Sequence, residues 1–172
     1  MNFLLDIVTH TPLWVWGGLA LLVFMGLKQT VARDVSATRL WLVPIVMGGY
    51  SFYGSWSSFG GVGQAFAATA WIVGAALGFA ANGKLDLPRQ VAVNDDGSFR
   101  IGGSFAPQVL FVSIFLLRYA IGVTLAVAPE LAHDLPFALF ASLAGGVPTG
   151  LLVARSRKVL STPRPATDLA RA

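Results

Sequence analysis

The chain contains no cysteine. That excludes disulfides, thiolate metal sites, cysteine nucleophiles and thioether-linked haem. Charge is scarce as well: 12% of the 172 residues are Asp, Glu, Lys or Arg, about half the ~25% of a soluble domain. No carboxylate or histidine falls inside an apolar run, so the groups that usually carry protons in coupled transporters are missing. No GxSxG, Ser-x-x-Lys or ATP-binding motif occurs, which leaves nucleophilic catalysis and ATP hydrolysis without a basis in sequence. Met1-Asn-Phe-Leu-Leu-Asp6 carries no basic residue, and no small-residue cleavage site follows it. The first helix is therefore expected to be an uncleaved anchor.

What is abundant is apolar surface, with 55% of residues hydrophobic. Five apolar runs approach the ~20 residues that cross a bilayer as a helix. They predict an all-α membrane protein with spans at 12–27, 40–59, 65–81, 105–128 and 135–154, forming one domain over 1–154. Thr11, Ser104 and Asp134 are candidate N-caps, and Pro12, Pro107 and Pro136 sit where a first turn tolerates proline. Residues 90–101 read as a β-hairpin between the third and fourth spans. Val91 and Val93 alternate, Asp96-Gly97 supplies the turn, and Phe99 and Ile101 return. Such a hairpin is marginal alone and needs a surface to rest on. Residues 155–172 form a basic tail.

Two spans carry small residues every fourth position: Ala70, Gly74 and Gly78 in the third, Ala138, Ser142, Gly146 and Gly150 in the fifth. Such stripes let a second helix come close. The second half of the second span, Gly48 to Ser58, is small and polar, and reads as packed against neighbours or lining a crevice.

The net charge is +4 and the pI near 10. The basic residues are spread over short loops rather than gathered on one surface, which argues against nucleic acid. Lys28, Arg33 and Arg39 fall in the first loop, Lys84, Arg89 and Arg100 in the hairpin loop, and Arg155, Arg157, Lys158, Arg164 and Arg171 in the tail. With five spans all of these share one side, and the other side holds Asp6, His10, Glu130, His133 and Asp134. The positive-inside rule then predicts the N-terminus outside and the C-terminus in the cytoplasm.

The remaining cation, Arg118, sits near the middle of the fourth span. A charge there costs about 2.5–3.5 kcal/mol on insertion scales, so it must face protein or water. Tyr50 and Ser51, and the carbonyl of Ala144 that Pro148 leaves without its helical donor, lie at matching depth by residue count. One expectation is structural: Arg118 donates to those groups, with Gly122 leaving room. The other is functional: an external anion completes the site, with Arg118, Tyr50, Ser51 and Tyr119 as candidates. His10, His133 and Asp134 are the nearest approach to a metal-ligand set, without HxxxH or HExxH spacing, and no cofactor is expected.

Thr9-His-Thr-Pro-Leu-Trp-Val-Trp16, Gly26-Leu-Lys-Gln29 and Arg39 resemble a family of small bacterial inner-membrane proteins of unknown function. Asp96-Gly97, Gly103-Ser104 and Leu116-Leu-Arg-Tyr-Ala120 continue the resemblance over most of the chain. It implies a multi-pass protein of the bacterial inner membrane and carries no activity. The leading expectation is a non-enzymatic accessory, assembly or interaction subunit, homo-oligomeric or bound to a membrane-protein partner through spare small-residue faces. The alternative is a small transporter or lipid- or anion-binding protein that uses Arg118. A membrane enzyme or a haem or metal protein comes third.

Overall fold

Each apolar run folds as a helix, the form in which such a run satisfies its own backbone polar groups. The computed structural model describes residues 11–27, 31–85, 91–94, 97–103 and 105–163. Five helices follow in order: α1 (Leu13–Leu27), α2 (Ala37–Ser58), α3 (Val62–Leu85), α4 (Ala106–Val127) and α5 (Leu135–Leu160), with a 3-10 turn over Pro129–His133 before α5. Three short strands accompany them, β1 (Arg33–Val35), β2 (Val91–Val93) and β3 (Phe99–Ile101).

Local chemistry explains several boundaries. Ser36 caps α2 by accepting from Arg39 N at 3.4 Å, so the helix starts ahead of its apolar run. Asp134 Oδ1 accepts from Phe137 N at 2.7 Å and caps α5, with Pro136 in the first turn. α4 begins after Phe105 without a side-chain cap; Ser104, the expected cap, lies outside the described residues. α5 continues past 154 to Leu160, because Val159 is wholly buried against the strands. Arg155, Arg157 and Lys158 therefore belong to a helix rather than to a tail.

Three helices are long and apolar enough to cross a membrane, over Gly63–Asn82, Ala106–Val127 and Leu135–Leu160, and by length and composition they mark a membrane protein. The apolar stretch of α1, Val15–Phe24, is shorter. α2 has 22 residues, but its Gly- and Ser-rich second half lowers its hydropathy. Those small polar positions are the ones that turn inward: Gly48, Ser51, Gly54 and Ser55 are buried.

The two small-residue stripes meet each other. A Cβ built on Gly74 or Gly78 would strike the backbone of Leu143 or Val147, and one on Gly146 or Gly150 the backbone of Trp71 or Ala75. The facing positions advance together along both helices, so α3 and α5 run parallel with their backbones nearly touching. Each stripe is the groove for the other helix. The faces that motivated an oligomer or a partner subunit are thus used within the chain.

One hydroxyl ties α2 to this pair. Ser51, with no exposed surface, donates to Gly145 O at 3.0 Å and accepts from Trp71 Nε1 at 3.1 Å. Nearer the 3-10 turn, Phe59, Ala67, Ile121, Ala138 and Ala141 form one apolar cluster. Nearer the strands, Leu110, Phe111, Ile114 and Leu152 form another. α1 packs chiefly on α4.

The hairpin forms as β2 and β3, with Gly97 in the left-handed region at φ 77°. The sequence reading missed its third strand. β1, from the loop after α1, pairs antiparallel with β3, placing Arg33 opposite Ile101, Asp34 opposite Arg100 and Val35 opposite Phe99. Asn94 Nδ2 donates to Asp34 Oδ1 at 2.9 Å and to Ser98 Oγ at 2.8 Å, joining the turn to β1. The other face of the sheet buries Val35, Phe99 and Ile101 against Leu40 of α2 and Val159 of α5. That is the surface a marginal hairpin requires. It also brings the first loop, the hairpin loop and the end of α5 to one end of the bundle.

Candidate anion-binding site

Arg118 makes its hydrogen bond to none of the groups its depth suggested, although Tyr50 lies within electrostatic range. Its guanidinium lies on the backbone of α2 at Gly54, where any side chain would collide with Cζ, Nε and Nη2. Nη2 donates to Ser58 Oγ at 3.2 Å, and that hydroxyl donates to Gly54 O at 2.6 Å. The side chain therefore reaches toward the last turn of α2, as a long cation does when it seeks the nearer interface. Depth counted from Cα atoms misses this by one to two helical turns. Gly54 supplies the room; a Cβ on Gly122 would meet nothing within 4 Å.

Of the other candidates, Tyr50 stays near Arg118, and Ser51 and Tyr119 are engaged elsewhere. Tyr50 is half exposed and lies within electrostatic range of Arg118. Ser51 is committed to Gly145 and Trp71, so the helix backbone near Pro148 receives a serine rather than the arginine. Tyr119 pairs with Thr11, OH to Oγ1 at 2.6 Å, linking α4 to the start of α1. Arg118 Nη1 is buried without a hydrogen-bond partner among the described residues.

At the same end, a pocket of about 370 Å³ opens among Gly60, Gly61, Phe66, His133 and Asp134. His133 is exposed, and the Asp134 carboxylate is engaged in capping α5. His10 lies outside the described residues. Among the described residues no three His, Asp or Glu side chains gather into a metal-binding group.

The opposite end holds a more coherent arrangement. A pocket of about 260 Å³ is bounded by α1, β1, α2, α4 and α5. Arg33 from β1, Arg39 from α2, and Arg155 and Ser156 from α5 supply its polar wall. Leu22, Val43, Met47, Phe111 and Leu152 supply its apolar one. Among the described residues no acidic side chain lines it. Asp34, beside Arg33 in sequence, points to the other face of β1, where it is exposed and accepts from Asn94.

Arg155 is the unusual member. It is only 8% exposed, and its Nε finds no hydrogen-bond partner among the described residues. Arg33 is close enough to repel it. Burial, and then the Arg39 cation, push the Arg33 guanidinium below the usual arginine value. For Arg155, burying a cation beside like charge costs several kcal/mol unless something compensates. The neighbouring Arg157 shows the contrast: it lies over the Phe79 ring at 5.6 Å from the centroid.

The sequence contained a signal for Arg155 that a tail assignment hides. The buried face of α5 runs through Ala138, Ala141, Gly145, Pro148, Leu152, Arg155 and Val159, at helical spacing throughout. Arg155 stands where the pattern calls for an apolar residue. No comparable signal marks Arg33 or Arg39, which join the pocket only through the fold.

A family model described as a family of unknown function (DUF6622) matches residues 1–172. No curated protein and no solved structure matches.

Proposed function

Because the chain belongs to that family of unknown function, its relatives carry no activity over to it, and we propose from its own geometry that it is a non-enzymatic, anion-binding protein of the bacterial inner membrane. In this reading all five helices cross the bilayer, the N-terminus is outside, and the strand end of the bundle faces the cytoplasm. The basic loops gathered at that end support the orientation. The single observation that carries the binding function is Arg155, nine-tenths buried in a pocket shared with Arg33 and Arg39, where among the described residues its Nε finds no partner and no acid lines the wall. Guanidinium groups present forked donors suited to phosphate or carboxylate oxygens. A bound anion would offset the cost of burying the charge. The subunit reading loses its motive, since the small-residue faces are occupied by α3 and α5 themselves.

The test exploits that cost. In protein stripped of bound anions, Arg155→Leu is expected to melt no lower than wild type, because an uncompensated buried charge has been replaced by an apolar group. With anion at about 100 times Kd, wild type gains about 2.7 kcal/mol, and Arg155→Leu gains little. Native mass spectrometry from mild detergent should show an anionic adduct on wild type alone. A stripped Arg155→Leu protein that is clearly destabilised, and a wild type that carries no adduct, would sink the reading.

The absence of cysteine makes the orientation easy to check. In intact cells, a membrane-impermeant maleimide is expected to label Glu130→Cys and to label Lys158→Cys only after permeabilisation. The reverse pattern would invert the topology; labelling of both would break the five-span count.

A further inference from the structure

The arginine pocket has a polarity gradient along the helix axes. Arg39 lies in the first turn of α2 and Met47 eight residues further on, roughly 12 Å toward the middle of the helix. Arg155 similarly lies nearer the end of α5 than Leu152, by about 4–5 Å. The cations are therefore gathered at one level, and the apolar lining rises from it into the bundle.

The pocket also opens sideways. α1 makes its main contact with α4 and stands off from α2. Leu22 of α1 and Leu42 and Val46 of α2 line the pocket, and Leu42 and Val46 are more than half exposed, so its flank between α1 and α2 is open. Phe111 and Leu152, both buried, form its floor. A site for a small hydrophilic anion has no need of an apolar flank open to the surroundings of the helices. At about 260 Å³ the pocket holds a headgroup and the first part of a chain, the remainder leaving through the opening.

Resting on the anion-binding reading above, we infer that the occupant is a phosphate-headed membrane amphiphile, its head on Arg155, Arg39 and Arg33 and its chain rising between α1 and α2. Basic pockets between membrane helices on the cytoplasmic side suit phosphate headgroups. Charge complementarity selects the head, and the lateral apolar opening selects a molecule that has a tail. Free phosphate shares the head chemistry and lacks the tail; a zwitterionic phospholipid shares the tail and lacks the net charge.

The test compares these probes on the full chain, delipidated in mild detergent. Short-chain phosphatidylglycerol, short-chain phosphatidylcholine and inorganic phosphate are titrated against thermal stability and by native mass spectrometry. Phosphatidylglycerol is expected to bind about tenfold or more tightly than either of the others. Arg155→Gln is expected to weaken it at least about tenfold, and so is Arg39→Gln, whose exposed position leaves folding intact. Inorganic phosphate binding as tightly as phosphatidylglycerol would overturn the amphiphile and leave the anion site standing. Phosphatidylcholine binding equally well would show that the head is not read, overturning the inference. Unchanged phosphatidylglycerol binding in both arginine variants would locate the lipid elsewhere and overturn it as well. No binding of any probe would remove both the amphiphile and the anion site.

Discussion

Gly146→Leu is expected to melt about 6–12 °C below wild type. The Cβ position of Gly146 already conflicts with the carbonyl of Trp71 and comes within 2.7 Å of Ala75 N. Both are backbone atoms, so no rotamer change can clear them. α3 and α5 must separate or slide, and the offset propagates along the pair, because Gly150 meets Ala75 C and Phe79 N, each at 2.7 Å. Overpacking of this kind costs about 3 kcal/mol, and each kcal/mol lowers Tm by about 2–4 °C in a chain of this size. Gly49→Ala is the control. Nothing lies within 4 Å of its Cβ, and alanine favours a helix over glycine by up to about 1 kcal/mol, so Tm should hold or rise. Equal Tm values for Gly146→Leu and wild type would mean that these helices are not in backbone contact.

Gly54→Leu is expected to act through Arg118 rather than through packing alone. The guanidinium occupies the space above Gly54, with three of its atoms where a Cβ would stand. A leucine there expels it and breaks its bond to Ser58. The displaced cation must then be accommodated in an apolar layer, at about 2.5–3.5 kcal/mol. Adding Arg118→Leu removes the charge, and the double variant should recover much of the loss. The diagnostic is therefore non-additivity of roughly 1–2 kcal/mol in thermal unfolding, as expected for residues in contact. Strictly additive effects would show that the guanidinium does not rest on Gly54. Ser58→Ala should cost about 1.5–3 kcal/mol by removing a hydrogen bond to a charged group.

Both predictions concern residues whose importance was only half visible in sequence. Gly74, Gly78, Gly146 and Gly150 stand out as stripes because every fourth residue shares a helix face. A stripe says that a face is small; it does not say what covers it. Spare faces for a partner and faces already filled by one another look identical in one dimension. Arg118 was conspicuous for the same reason, as a charge in an apolar run. Its partners were misjudged because an arginine side chain extends several ångströms along the helix axis, so Cα depth does not locate the guanidinium.

The arginine pocket was hidden differently. Arg33, Arg39 and Arg155 each read as ordinary loop or tail cations at the ends of apolar runs. β1 is three residues long, too short to show alternation, yet it draws Arg33 to the sheet. Arg155 was assigned to a tail because charge usually ends a span. The helix continues because Val159 has somewhere to be buried, a fact supplied by Leu40, Phe99 and Ile101 from distant parts of the chain.

The amino-acid sequence by itself determined the helical class, the five helices, the strands of the hairpin, the Asp134 cap and the gathering of basic residues in alternate loops. These depend on run length, residue spacing and charge counted along the chain, all of them local quantities. Tertiary structure decided which small faces meet, where the Arg118 guanidinium rests, and that three scattered arginines share one pocket. Those outcomes depend on the rotation of each helix about its axis and on pairing between segments far apart in sequence. Packing sets both, and neither is encoded in any single stretch.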